Sequence, residues 1–342
     1  METRHAIHVG DARSMAALDD DSVELVVTSP PYPMIEMWDE TFSRLDPAIG
    51  SRLEENAGDA AFELMHDALD RVWAEVERVL VDGGMACLNI GDATRSIGDR
   101  FRLYPNHVRV TEAFANRGFD VLPPVLWRKP TNRVTKFMGS GMLPPNAYVT
   151  LEHEFILILR NGSQRRFDRG SDRRYESAYF WEERNDWFSD LWELTGETQS
   201  FEADRGRSGA FPFEIPFRLI NMFSVYEDTV LDPFWGTGTT TLAAMATARN
   251  SIGYELVDDV VETFDARLEG IVERTHNRNR ERIEQHREAM DDRSATGDSP
   301  GYTASHYDFP VITKQEQDIR FYDIDSVKEA TDGRYAVAHE PV

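Results

Sequence analysis

The sequence predicts an α/β protein built on a doubly wound, mostly parallel sheet of seven strands. Three observations carry that reading. Short apolar, β-branched runs recur along the chain; several of the segments between them keep a helical spacing of apolar residues; and a glycine-rich turn over residues 236–240 joins a strand directly to a helix.

His5-Ala6-Ile7-His8-Val9 reads as a first strand that turns at Gly10-Asp11, and residues 12–17 as a short helix. Val23-Glu24-Leu25-Val26-Val27 has the β-branched, apolar content of a buried strand, extending to Ser29. Pro30 and Pro31 end it, because consecutive prolines lack N–H donors and fix φ. Ser29 and Tyr32 are therefore expected on a stiff, extended loop at the carboxyl end of a strand, where α/β sheets place their chemistry. Over residues 60–80, Phe62, Met65, Leu69, Val72, Trp73, Val76 and Leu80 keep helical spacing, closed by Asp82-Gly83-Gly84. Residues 85–90 form a third strand, a helix follows around 105–117, and strands follow at 119–127 and 154–160. Aromatic residues crowd 179–192, with Trp181, Trp187 and Trp192 among them, and read as packing of an inserted region rather than as a stacking platform. Pro212, Phe213 and Pro216 introduce a helix with Phe217, Ile220 and Phe223 on one face. Strands at 229–231 and 251–255 complete the seven. A helix from 258 to about 290 starts amphipathic and becomes charged all round; 291–305 reads as a polar linker, and 306–342 carries weak strand signals at 309–312 and 319–322.

At 342 residues and 41% hydrophobic content the chain can bury a full core. No apolar run reaches the roughly 20 residues of a membrane span, and the first residues do not read as a signal peptide, so a soluble, cytoplasmic protein is expected. The single cysteine, Cys87, excludes an intrachain disulfide framework or a thiolate metal cluster. It reads as a small core residue, with a nucleophile as the competing reading. No metal site is expected.

Charge is more informative. Lys plus Arg total 37 against 61 Asp plus Glu, a net of −24, and only Lys129, Lys136, Lys314 and Lys328 are lysines. An acidic surface carrying Arg in place of Lys points to a halophilic source, since a Debye length of about 3 Å at 1 M salt mutes self-repulsion. Against that background, residues 121–151 contain no acid at all and carry Arg128, Lys129, Arg133 and Lys136. A second basic cluster follows, with Arg165, Arg166, Arg169 and Arg173 interleaved with Phe167 and Tyr175. Arginines beside flexible glycines and aromatics suit phosphate contact and base-edge reading, so both clusters are candidate DNA-binding segments; a solvated loop balancing nearby acids is the plainer reading of each.

Asp232-Pro233-Phe234-Trp235-Gly236-Thr237-Gly238-Thr239-Thr240 runs from strand through glycine turn into helix, an arrangement that lets a ligand approach backbone N–H groups. Three cofactor classes use it. A phosphate-binding loop requires Gly-Lys-Ser/Thr, but Thr239 follows Gly238, and a dinucleotide fingerprint wants glycine where Thr241 stands. S-adenosylmethionine remains. Glu255, ending the next strand, stands where an acid accepts hydrogen bonds from ribose hydroxyls, or else is a strand-end surface charge.

Ser29-Pro30-Pro31-Tyr32, the glycine loop and Gly253-Tyr254-Glu255-Leu256 together resemble the amino-group DNA methyltransferases, which act on cytosine N4 or adenine N6. The order, catalytic motif first and cofactor loop last, is similar to the β arrangement of that family, over roughly residues 5–275. The resemblance implies a Rossmann-like S-adenosylmethionine-dependent sheet with an inserted DNA-recognition region. It implies that Ser29, Pro30, Pro31 and Tyr32 form the catalytic segment. It also implies that Asp11 reaches the cofactor adenine, that Phe213 cradles the methionine end, and that Asp232, Pro233, Phe234, Gly236, Thr237, Gly238, Thr239, Thr240 and Glu255 complete the cofactor site. On this reading residues 1–127 are the catalytic half, 128–210 the target-recognition insertion (including the core strand 154–160), and 211–275 the cofactor half. A charged helix and linker (276–305) and a C-terminal extension (306–342) follow.

Methyl transfer to an exocyclic amine needs the nitrogen lone pair freed from conjugation with the ring. Hydrogen bonds to Ser29 Oγ and the Pro30 carbonyl would do this, the Pro-Pro backbone fixing the carbonyl in advance, with Tyr32 stacking on a base flipped from the duplex. No covalent intermediate is needed. Ser at position 29 favours cytosine N4 within the family; adenine N6 stays open because either amine can meet these acceptors. The run Pro33-Met34-Ile35-Glu36-Met37-Trp38-Asp39 resembles archaeal N4-cytosine enzymes that modify CTAG. Double-stranded DNA is the expected partner, with a cognate restriction endonuclease as a second. A non-catalytic nucleic-acid-binding protein and an RNA or small-molecule methyltransferase are the competing classes. The charge balance gives a direct expectation: denaturation midpoints measured in molar KCl should exceed those in dilute buffer, and equal midpoints would remove the halophilic reading.

Overall fold

A computed structural model describes residues 1–129, 139–195, 211–297, 300–330 and 333–342. Along the chain the strands are β1 (Glu2–Val9), β2 (Val23–Thr28), β3 (Leu80–Ile90), β4 (Ala93–Ile97), β5 (Arg100–Tyr104), β6 (Asp120–Arg128) and β7 (His153–Arg160). They continue as β8 (Leu191–Glu193), β9 (Thr229–Asp232), β10 (Asn250–Glu255), β11 (Tyr302–Thr303), β12 (Pro310–Val311), β13 (Tyr322–Glu329) and β14 (Arg334–Pro341). The main sheet runs β13-β14-β1-β10-β9-β2-β3-β7-β6-β8. Its centre, β1-β10-β9-β2-β3, is parallel throughout, and β7 is antiparallel to both β3 and β6.

All seven expected strands are present. The central ones are covered on both faces, which is why β2 and β3 read as continuous apolar runs rather than as alternating ones. Val26, Ala86, Leu88 and Leu157 face one core, against the helix Gly58–Val79 with its Trp73 and Val76. Leu25, Val27, Cys87 and Ile156 face the other, with Phe217 and Ile220 of the helix Glu214–Phe223 and with Trp187 and Trp192. Cys87 is fully buried and desolvation pushes its thiol pKa up, which makes it a core residue.

Several local expectations change. Residues 12–17 form turns, not a helix. The helix expected from 258 to about 290 is three: Asp258–Val261, Phe264–Leu268 and Ile271–Ala295, the last break falling at Gly270 with φ 77°. The hairpin β4-β5 and the helices Asp39–Leu45 and Pro47–Glu54 went unread. The strand signal at 319–322 belongs one step later, where β13 starts at Tyr322 and pairs with β14, which extends the main sheet beyond β1.

That C-terminal hairpin accounts for the helix that looked charged all round. The buried positions of Ile271–Ala295 include Thr275, Asn279, Arg282 and His286, a polar stripe with helical spacing. Asn279 Nδ2 donates to Tyr322 O at 3.0 Å and to Asp323 Oδ1 at 2.7 Å, and His286 Nε2 lies 2.9 Å from Pro310 O. Arg282 pairs with Glu183 through Nε (2.5 Å) and Nη2 (2.9 Å), both side chains being buried. Its guanidinium also lies 4.0 Å from the Phe321 ring centroid. Removing one partner of such a pair strands the other charge in the interior. Arg282→Met is therefore expected to lower unfolding free energy by about 3–5 kcal/mol in denaturant titrations, and a loss below 1 kcal/mol would mean the pair does not hold this helix to the helix Trp181–Trp187.

Candidate active site

Two loops distant in sequence leave the sheet side by side. β2 and β9 are adjacent parallel strands, with Leu25 opposite Val230 and Val26 opposite Leu231. Ser29-Pro30-Pro31-Tyr32 therefore departs next to the glycine loop that follows Asp232. The carboxylate of Asp232 joins them: Thr28 Oγ1 donates to Oδ1 at 2.6 Å, Thr240 Oγ1 to Oδ2 at 2.7 Å, and the Phe234 N–H to Oδ1 at 3.1 Å. Burial pushes the Asp232 pKa up to about 6, against the opposing effect of these three donors.

The proline loop is braced from below. Asn106 Nδ2 donates to Pro33 O (3.0 Å) and Gly91 O (2.9 Å), and its Oδ1 lies 3.1 Å from Nε2 of the buried His66. Tyr32 is only 8% exposed, its ring packed against Gly91, where a Cβ would come within 2.8 Å of Tyr32 Cε2. The ring is thus largely enclosed rather than presented as an open stacking surface. Its hydroxyl lies 3.0 Å from Ser29 Oγ and 2.9 Å from Glu154 Oε2. Asn89 Nδ2 donates to both Tyr32 Oη and Glu154 Oε2, each at 2.7 Å, and Lys129 Nζ pairs with Glu154 Oε1. Burial, then the charge of Glu154, holds the Tyr32 phenol protonated well above its usual range. Sequence reasoning missed Asn89 and Glu154. The signal for Asn89 was a polar residue inside the apolar run 85–90.

A cradle opens at the ends of β1, β9 and β10. Glu255 accepts from Gly236 N–H (2.9 Å) through Oε2 and from Val257 N–H (3.0 Å) through Oε1, and Gly10 N–H donates to Glu255 O at 2.8 Å. Glu255 thus ties the glycine loop to the turn that follows β10. Gly236 and Gly238 have φ of 55° and 78°. A Cβ on Gly10 would meet nothing within 4 Å, and one on Gly236 only Phe234 O at 3.7 Å, so both leave open space beside Glu255. Gly238 instead packs against Phe264 and Trp235. Pro233 is buried behind the loop, Phe234 turns back onto Trp73 at 5.7 Å, and Arg267 ties Thr237 and Thr239. Asp11 is bound by Arg13, with Nη2 to Oδ2 at 2.7 Å; burial raises its pKa but these hydrogen bonds more than offset the rise. Phe213 stands just before the helix Glu214–Phe223 and stacks on Phe217 at 5.7 Å. An adenosyl group fits this set: an acid at a strand end, glycines facing space and a helix N-terminus at Thr239.

The two basic clusters part company. Arg128 ends β6 and Lys129 follows it, at the same edge as Ser29 and Tyr32, although each is ion-paired, Arg128 with Glu152 and Glu193 and Lys129 with Glu154. Arg133 and Lys136 lie outside the described residues. Because β7 is antiparallel to β3, Arg165, Arg166, Arg169 and Arg173 emerge at the amino edge of the parallel strands, about 20 Å from the proline loop by strand length. There Arg165 pairs with the buried Asp228 at 2.5 and 2.8 Å and Arg173 approaches the same carboxylate at 3.5 Å. The structure does not bring this cluster to the site. Exposed Met142 (84%) and Val149 (86%) mark the loop that does share the site's edge, between β6 and β7.

Residues 23–266 match a family model described as DNA methylase. The chain is 50% identical over 328 residues to the Type II methyltransferase M.MthZI of Methanothermobacter thermautotrophicus, covering 94% of this chain and 91% of that one. It is 54% identical over 265 residues to the Type II methyltransferase M.MjaI of Methanocaldococcus jannaschii, covering 74% and 88%. Among solved structures, a Thermus thermophilus protein assigned as a DNA modification methylase, in complex with S-adenosyl-L-methionine, aligns with a TM-score of 0.61 at 32% identity, covering 77% of this chain and 92% of that one. The cytosine-N4-specific PvuII DNA methyltransferase aligns with a TM-score of 0.57 at 17% identity over 81% and 92%, a likeness of fold alone.

The raised Asp232 pKa has a pH consequence. A carboxylate whose folded value lies above its unfolded value near 3.9 contributes stability that is full below the unfolded value and lost as pH rises through about 6. The stability difference between wild type and Asp232→Asn should therefore shrink by on the order of 2–3 kcal/mol between pH 4 and pH 7. Denaturant titrations of both proteins at the two pH values measure it, and a pH-independent difference would contradict the assignment.

Proposed function

We propose, from the premise that the chain belongs to the N6/N4 DNA methylase family, that it methylates the exocyclic N4 of cytosine in duplex DNA, within CTAG, using S-adenosyl-L-methionine. The observation that carries the proposal is the Asp232 bridge, which holds the Ser29–Tyr32 loop beside the glycine loop at adjacent strand ends. Glu255, Asp11, Phe213 and the loop from Asp232 through Pro233 and Phe234 to Gly236, Thr237, Gly238, Thr239 and Thr240 would hold the cofactor. When bound, it would supply an electrophilic methyl group on a sulfonium, with the neutral thioether as the leaving group for attack by the amine nitrogen.

The chain's own residues do the rest. Ser29, partly exposed, accepts one amine hydrogen through Oγ, and the buried Pro30-Pro31 backbone holds the Pro30 carbonyl ready to accept the other. Withdrawing the nitrogen lone pair from the ring conjugation in this way is worth most where the acceptors need not reorganise. Tyr32 serves as the wall behind Ser29, and the base itself must leave the duplex to reach these acceptors. Arg128, Lys129 and the exposed 139–151 loop are read as the surface facing DNA. The Type II names of the relatives support a restriction–modification setting with a cognate endonuclease.

The choice of cytosine rests on Ser at position 29 and on the resemblance of residues 33–39. Mass spectrometry of nucleosides from duplex DNA treated in high salt tests it directly. N4-methylcytosine confined to CTAG is the expected product; N6-methyladenine would overturn the base, and no methylation at all would overturn the activity. Ser29→Ala should lower the transfer rate by about 100–1,000-fold, the usual effect of removing one preorganised hydrogen bond, while cofactor affinity stays unchanged.

A further inference from the structure

The hydroxyls of Ser29 and Tyr32 and the carboxylate of Glu154 form an unbroken chain, with steps of 3.0 and 2.9 Å. Its polarity follows from counting protons. An ionised Glu154 only accepts, so the single phenolic proton of Tyr32 points at it. Asn89 commits both amide protons, one to Tyr32 Oη and one to Glu154 Oε2; turned over, its carbonyl oxygen would face the carboxylate. With its proton given to Glu154, Tyr32 can only accept from Ser29. The Ser29 proton is then committed inward, and the lone pairs on Oγ are left for an incoming amine.

We infer that Glu154 is the terminus of a proton relay that carries the surplus proton of the methylated amine out through Ser29 and Tyr32. The inference rests on the methyl-transfer reading and holds for either amine base. Transfer leaves the nitrogen positively charged, with one proton more than the neutral product. One N–H bond breaks with its electron pair staying on nitrogen. That proton passes to Ser29 Oγ as the Ser29 proton passes to Tyr32 Oη and the Tyr32 proton to Glu154 Oε2. Both hydroxyls end with one proton each, the nitrogen is neutral, and Glu154 ends as a neutral acid. Because the Tyr32 phenol stays protonated well above its usual range, it hands a proton on rather than resting as a phenolate. Lys129, whose side chain is 35% exposed, pairs with Glu154 and marks the route to solvent. Among the described residues the charged and titratable groups facing Glu154 are Lys129 and Tyr32. One residue along β7, Phe155 stacks on His107, which is itself paired with Asp92 at 2.8 Å.

Glu154 acts through Tyr32, so it is a positioning residue, and its test needs a readout that a structural role would not move. Single-turnover methyl transfer, with the full-length enzyme in excess over duplex DNA, is followed across pH. Wild type should slow as pH falls, because a Glu154 that already carries a proton cannot take up the relayed one. Glu154→Gln keeps the size and one acceptor oxygen for Tyr32 but cannot take a proton; it should be about 100-fold slower and lose that acidic limb, and Glu154→Asp should restore the limb. Lys129→Met, which removes the facing cation, should move the limb to higher pH. A Glu154→Gln enzyme that keeps the wild-type limb, whether slow or fast, overturns the relay. If Glu154→Gln fails to fold, an unmoved limb in Lys129→Met overturns it as well. Wild type that leaves DNA unmethylated would instead sink the functional reading beneath it.

Discussion

The buried carboxylate of Asp232 is the contact on which the arrangement of the site depends. Its two oxygens take hydroxyl protons from opposite directions, Thr28 at the end of β2 and Thr240 at the start of the helix Thr239–Ala246. A third donor, the Phe234 N–H, shapes the first turn of the glycine loop. In a low-dielectric interior these bonds are strong and their loss is costly, so the relative position of the two loops is held to hydrogen-bond tolerance. Strand order makes this possible. β2 and β9 are some two hundred residues apart in the chain and neighbours in the sheet, which is where an acceptor loop and a donor cradle can meet.

A second buried network extends the same logic to β3 and β7. Asn89 and Glu154 sit on strands whose other inward residues are apolar, and each finds partners in the Tyr32 hydroxyl and in each other. The charge of Glu154 is balanced by Lys129 rather than by solvent. Arg128 at the same edge is likewise matched by Glu152 and Glu193.

Much of this was legible from sequence because it rests on patterns that local physics enforces. Apolar runs marked β2 and β3, closely spaced glycines marked the loop at 236–238, and consecutive prolines marked the stiff segment. What escaped depends on long-range polar pairing. The stripe Thr275, Asn279, Arg282 and His286 has no hydrophobic period, so its burial under the C-terminal segment could not be read from apolar spacing. Glu154 looked like the first residue of a strand; only the antiparallel register of β7 puts it beside Tyr32. The same register carries Arg165 and Arg173 to the far edge of the sheet, where Asp228 takes them up, although in sequence they follow the first basic segment closely.

The central claim is that the two loops work as one unit through Asp232, and Thr28→Val tests it most directly. Valine keeps the shape of the strand end but removes the hydroxyl that reaches Oδ1. The measurement is the single-turnover rate of methyl transfer to duplex DNA beside the cofactor dissociation constant of the same protein. The dissociation constant should be unchanged and transfer slowed by about 10–100-fold, the cost of a misplaced acceptor. Wild-type transfer at an unchanged dissociation constant would show that the loops are positioned independently and would contradict it.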